Sequence, residues 1–143
     1  MGHLMMGQVT SDGIPYTKFR GIKNNLEKII LEAVPVEILL AEDEKRASGA
    51  PFRYGYVHKT EFNPNNSGKW IELEDGSRIW QIHFQSNDAY AINIEYENFF
   101  IPEGGELYVY NPGYEMIYGS YTHLNNGNDG FFSTPHVEGD EII

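Results

Sequence analysis

IPEGGELYVYNP, residues 101–112, is the most regular stretch of this chain, and its reading decides the fold. Pro102 to Gly105 is turn material, and Asn111-Pro112 turns the chain again. Between them Leu107 and Val109 alternate strictly with Tyr108 and Tyr110. A period of two places Leu107 and Val109 on one face of a strand and the two tyrosines on the other. Within Leu107 to Tyr110 no residue is a general base or a strong metal ligand. The stretch reads as a core strand, with its tyrosines at a sheet rim or under a loop.

The same period extends in both directions. EMIYGSYTHL after it reads as a strand, NNGNDG (Asn125 to Gly130) as a long turn, and HVEGDEII as strand-like. Before it, AYAINIEYE places Tyr90, Ile92, Ile94 and Tyr96 on one face. KWIELEDGSRIWQIHFQS reads as a hairpin with Asp75-Gly76 at its turn and Trp80, Ile82 and Phe84 facing the core. Gln81, His83 and Gln85 then fall on the opposite, solvated face. PFRYGYVHKTEF (Pro51 to Phe62) reads as another strand.

Nearer the N-terminus the period changes. PVEILLAEDEKR predicts a helix near 35–47, with Val36, Leu39 and Leu40 on one face. Glu42 is placed to pair with Arg46, and Gly49 to close the helix. LEKIILEAV (Leu26 to Val34) is ambiguous: its apolar spacing fits a helix, but its β-branched residues and the following proline favour a strand. Residues 8–34 are therefore read as an extended arm and a first strand, and 35–143 as the body of one domain. Residues 1–7 read as a tag remnant or the end of a removed signal segment. Short strands with turn signals every eight to twelve residues predict a mainly β fold. Its expected form is an antiparallel β-sandwich of jelly-roll type with one short helix and an extended N-terminal arm.

Composition bounds the function. The chain has 143 residues, 41% of them hydrophobic and 14% aromatic, which suits one domain with a core. Its net charge of −11 repels phosphate backbones and argues against nucleic acid, while leaving cations, neutral sugars and basic proteins as partners. No apolar run is long enough to span a bilayer. There is no cysteine, which excludes thiol catalysis, disulfides and sulfur-bound zinc.

Candidate chemistry is sparse. His3, His58, His83, His123 and His136 are scattered, with no H-E-x-x-H pair. In a strand, His136, Glu138 and Asp140 would point to one side as metal ligands. Asn125 and Asp129, joined by Asp140, would be an oxygen cage for Ca²⁺, although the EF-hand spacing fails. Solvated surface and a plain turn are the simpler readings of both. Ser67 and Ser77 are turn serines, and no G-x-S-x-G occurs. Tyr108, Tyr110, Tyr114, Tyr118 and Tyr121 would serve as a glycan platform, a protein interface, or packing. No catalytic or cofactor-binding set is expected, and a hydrolase using paired carboxylates is the least favoured reading.

Taken together, W-I-E-L-E-D-G-S-R-I-W-Q-I-H-F-Q-S-N-D-A, F-F-I-P-E-G-G-E-L-Y-V-Y-N, I-Y-G-S-Y-T-H-L-N-N and G-D-E-I-I run from Trp70 to Ile143. This order resembles the N-terminal accessory, propeptide-like domain of secreted bacterial lysyl-endopeptidase-type serine proteases and of related type IX secreted proteins. The likeness covers about half the chain, with Ile101-Pro102 in place of the usual Leu-Pro. It carries over scaffold positions only: Trp70, Trp80, Pro102, Gly104, Leu107, Tyr110, Gly119, Asn125, Asn126, Gly139 and Asp140. The resemblance implies an exported, non-catalytic domain, secreted or at the cell surface, that docks against a downstream trypsin-like domain or assists its folding or latency. A carbohydrate- or calcium-dependent binding module is the alternative.

Overall fold

The computed structural model describes residues 13–23 and 25–143; the expectations for residues 1–7 and for the start of the arm, 8–12, lie outside the described residues. The arm carries a short helix, α1 (Tyr16–Phe19), and leads to β1 (Lys28–Ile30) and a second helix, α2 (Val36–Glu44). The strands that follow are short: β2 (Lys69–Glu72), β3 (Arg78–Gln81), β4 (His83–Gln85), β5 (Ala91–Ile92) and β6 (Glu95–Tyr96). The decisive stretch supplies β7 (Leu107–Tyr110), followed by β8 (Ile117–Tyr121), β9 (Phe132–Ser133), β10 (Val137–Glu138) and β11 (Glu141–Ile142). The fold is mainly β, built of several small sheets. Among the described residues no helix is long and apolar enough to cross a membrane.

An interrupted antiparallel ladder organises the core. Phe84 pairs with Ile142, Ile92 with Val137, and Tyr96 with Phe132. Between these short pairings, Ser86 N donates to Asp140 O, Gly139 N to Tyr90 O, Thr134 N to Ile94 O and Phe99 N to Gly130 O, so the ladder continues through its gaps. β7 and β8 form a bulged hairpin. Tyr110 and Ile143 exchange reciprocal backbone bonds of 3.0 and 2.8 Å, which stitch that hairpin to the C-terminal residue.

Side chains on the inner faces meet in two clusters. Phe99, Ile101, Tyr121 and Phe132 pack with Tyr96, Leu107 and Tyr118. Val109, Val137 and Ile142 pack with Phe84, Ile92, Ile94 and Met116. Leu107 and Val109 thus reach the core that their alternation predicts. The Asp75-Gly76 turn also closes as expected, with Leu73 N donating to Ser77 O between β2 and β3.

Five features depart from the sequence reading. β1 runs parallel to β4, so the pairing is not purely antiparallel. The arm is not wholly extended, because α1 interrupts it. Residues 51–62 form no strand pairing among the described residues, although Tyr56 to Thr60 lie across a groove from β1. Gln81 and His83 are buried rather than solvated, at 5% and 6% exposure, because distant polar partners cover them. Within α2, Arg46 pairs with Asp43 instead of Glu42, and the helix closes at Lys45, ahead of Gly49.

Candidate functional site

The tyrosines separate into two environments. Tyr118 and Tyr121 belong to the core, and Tyr121 is fully buried. Its hydroxyl has no hydrogen-bond partner among the described residues. A buried hydroxyl in that state costs about 1–3 kcal/mol. Tyr121→Phe keeps the ring contacts with Phe132 and is expected to raise unfolding free energy by about 1 kcal/mol. Urea denaturation checks this, and a loss of stability would mean the hydroxyl is bonded to buried water.

Tyr108, Tyr110 and Tyr114 receive the N-terminal arm. The rings of Tyr110 and Tyr114 stack at 4.7 Å. Buried Thr17 of α1 lies between their hydroxyls at 3.4 Å from each, and Gln81 Nε2 donates to Tyr110 Oη at 2.8 Å. Burial pushes the Tyr110 phenol up to about 12. Lys18 sits 5.2 Å over the Tyr114 ring, and its ammonium donates to the Tyr114 carbonyl. Gly13 lies so close to Tyr108 that a side chain there would strike the phenol. The arm therefore covers the face on which these three tyrosines lie.

The metal candidates are dispersed. Asn125 caps the turn of 3₁₀ helix His123–Asn125 by accepting from Thr122 N. Asp129 accepts from Phe131 N in its own turn. His136 contacts the Tyr54 hydroxyl at 3.1 Å, Glu138 is exposed at the end of β10, and Asp140 accepts from Gln85 Nε2 at 3.4 Å. Among the described residues no three His, Asp or Glu side chains gather in a metal-holding group.

One acid–base cluster escapes sequence reasoning, because its members are far apart in the chain. His83 Nε2 lies 2.7 Å from one oxygen of Glu141, and Lys28 Nζ donates to the other at 2.7 Å. The three residues come from β4, β11 and β1, so the cluster ties the three strands of that sheet together. The Lys28 hydrogen bond, with His83 adding to it, holds the Glu141 carboxyl below its ordinary value of 4.5. A depressed carboxyl pKa stabilises the fold fully above the unfolded value and loses that contribution as pH falls through the folded one. The parent chain should therefore exceed Glu141→Gln in stability at neutral pH, and the gap should close as the medium is acidified below about 4.5. Denaturant midpoints of both proteins at several pH values check this; a gap independent of pH would refute the linkage.

The exposed apolar residues form the remaining candidate. α2 buries none of its side chains, and Ile38 is 62% exposed. Val36 and Leu40 on the same helix are also exposed. Arg53 joins the following segment to the helix through Glu42 at 2.7 Å and Asp43 at 3.1 Å, and Arg46 donates to Pro51 O. These contacts hold Phe52, which is 98% exposed, and exposed Tyr54 near the helix. Val36 and Leu40 share one side of the helix, and exposed apolar residues of this kind have the chemistry to bury themselves against another protein surface.

No protein-family model matches this chain, and no solved structure matches it.

Proposed function

We propose that this chain is a non-catalytic accessory or pro-domain of an exported bacterial protein, in the first instance a trypsin-like serine protease. It acts by docking against the neighbouring domain of the same precursor. The observation that carries this reading is α2. A nine-residue helix is too short to persist in water on its own propensity, and helices of this kind depend on burying an apolar face. α2 buries no side chain fully, with only Leu39 and Asp43 half-buried, and exposed ion pairs such as Arg53–Glu42 add little. Covering Val36, Leu40 and Phe52 with a partner would contribute about 1.5–3 kcal/mol apiece before the cost of association.

Docked in this way, the domain either blocks its neighbour's substrate cleft or supports its folding intermediate. The order of motifs from Trp70 to Ile143 supports the protease context. In the same reading the small sheets are parts of one antiparallel sandwich of jelly-roll type. The near-continuous ladder and the joining of Tyr110 to Ile143 support that architecture.

The test begins with the coding sequence that follows Ile143 in the natural gene. A trypsin-like domain is expected there, bound and inhibited by this chain added in trans. Val36→Asp combined with Leu40→Asp should weaken that binding at least about tenfold while leaving the unfolding midpoint unchanged. Adhesion-type repeats, a stop codon, or a double variant that binds as well as the parent would overturn the reading.

A further inference from the structure

We propose that the open edge of β1 is a self-association site, at which two copies of the chain pair their β1 strands antiparallel about a two-fold axis through Ile30. Among the described residues β1 is hydrogen-bonded on one side only, to β4. Leu31 N donates to Gln85 O at 2.8 Å, with Ile30 in register with Gln85. The backbone groups of Ile29 and Leu31 therefore point at β4, and those of Lys28, Ile30 and Glu32 point the other way. Among the described residues no backbone bond takes up that outer row. A groove of about 520 Å³, lined by Ile29 to Glu32 and by Tyr56 to Thr60, adjoins the strand. Ile30 is 64% exposed beside it.

The occupant follows from the residues of the edge. Read antiparallel against itself with Ile30 at the centre, Lys28-Ile-Ile-Leu-Glu32 sets Lys28 opposite Glu32 of the second copy, and does so twice. Ile30 then faces Ile30, and Ile29 faces Leu31. Residues with outward backbone groups must meet others of the same kind, so the register moves only in steps of two along the partner strand. One step either way sets Lys28 or Glu32 against Ile30 and loses both charge pairs. Charge thus selects the central register. Lys28 can serve both contacts, because its ammonium has three donors and Glu141 takes one at 2.7 Å. This contact is separate from the α2 face, so its failure leaves the docking reading standing.

Sedimentation equilibrium from low micromolar to submillimolar concentration is expected to show a reversible dimer. Ile30→Pro removes an amide that β4 does not use, so the monomer should keep its circular dichroism while the dimer is lost. Glu32→Lys, at an exposed position, makes both charge pairs repulsive and should weaken the dimer about tenfold or more. It also keeps the test decisive if the proline variant fails to fold. The chain lacks cysteine. Ile30→Cys would place two thiols on a hydrogen-bonded antiparallel pair, whose Cα separation of about 5.5 Å suits a disulfide. Mild oxidation should then yield a covalent dimer, whereas Phe52→Cys should not. A monomer throughout the range overturns the proposal. So does a dimer indifferent to Glu32→Lys, or cross-linking through Phe52→Cys in place of Ile30→Cys. A monomer whose β1 amides are protected only by an added unrelated extended peptide overturns it as well, in favour of a foreign strand.

Discussion

Ile142→Ala is expected to lower the unfolding free energy by about 2–5 kcal/mol, the range for truncating a buried isoleucine. Ile142 is fully buried one residue before the chain's last, packed with Val109 and Val137. It is paired with Phe84 on β4. The alanine removes three carbons from a site where four strands meet, and the backbone bonds between Tyr110 and Ile143 limit how far the neighbours can collapse into the void. Ile38→Ala is the matched control, because the same side-chain atoms leave an exposed position on a helix that buries no side chain fully. Its effect should stay within about 0.5 kcal/mol, as for surface substitutions generally. Urea unfolding of both variants, with unchanged m-values, provides the comparison. Equal small effects would mean that the C-terminal strand is not part of the cooperative core.

Much of this core is legible in the chain, since its signals are local. Alternation alone assigns Leu107 and Val109 to the interior, and Asp75-Gly76 announces its hairpin. The failures have a common physical cause, which is that burial of a polar residue depends on partners remote in sequence. Gln81 is inside because Tyr110 bonds it, and His83 because Glu141 does; neither partner can be inferred from the local pattern. Residues 51–62 carry a strand's composition without a strand's pairing, because pairing is a property of the neighbour as well as of the segment. α2 shows the converse. Its location is readable from Pro35 and the helical spacing, yet among the described residues none of the expected apolar face is fully buried. The tyrosines were sorted by topology as well: the arm reaches Tyr110 and Tyr114 through Thr17, a residue with no signal of its own.

A second large effect is expected at Gly68, which ends the NPNNSG turn before β2. Its φ of +76° lies in the left-handed region, where a residue with a side chain pays about 1–2 kcal/mol. The space is also taken: a Cβ would stand 2.5 Å from the Gln81 carbonyl oxygen and 2.6 Å from Trp80 Nε1. The backbone oxygen cannot swing aside as a flexible side chain could. The Trp80 ring is itself held, since its Nε1 donates to Ser67 O at 2.8 Å. Gly68→Ala must therefore strain the backbone and break or stretch that bond, for a combined cost of about 2–3 kcal/mol. Gly76, at the tip of the same hairpin, separates the two contributions. Its φ is +84°, but a Cβ there meets nothing within 4 Å, so Gly76→Ala should show the conformational cost alone, about 1 kcal/mol. Tryptophan emission adds a readout specific to the clash, because displacing the Trp80 ring should shift the spectrum in Gly68→Ala and leave it unchanged in Gly76→Ala. Equal destabilisation with identical spectra would mean that the turn yields to a side chain, and that close packing of Gly68 against Trp80 does not set the register of the first hairpin.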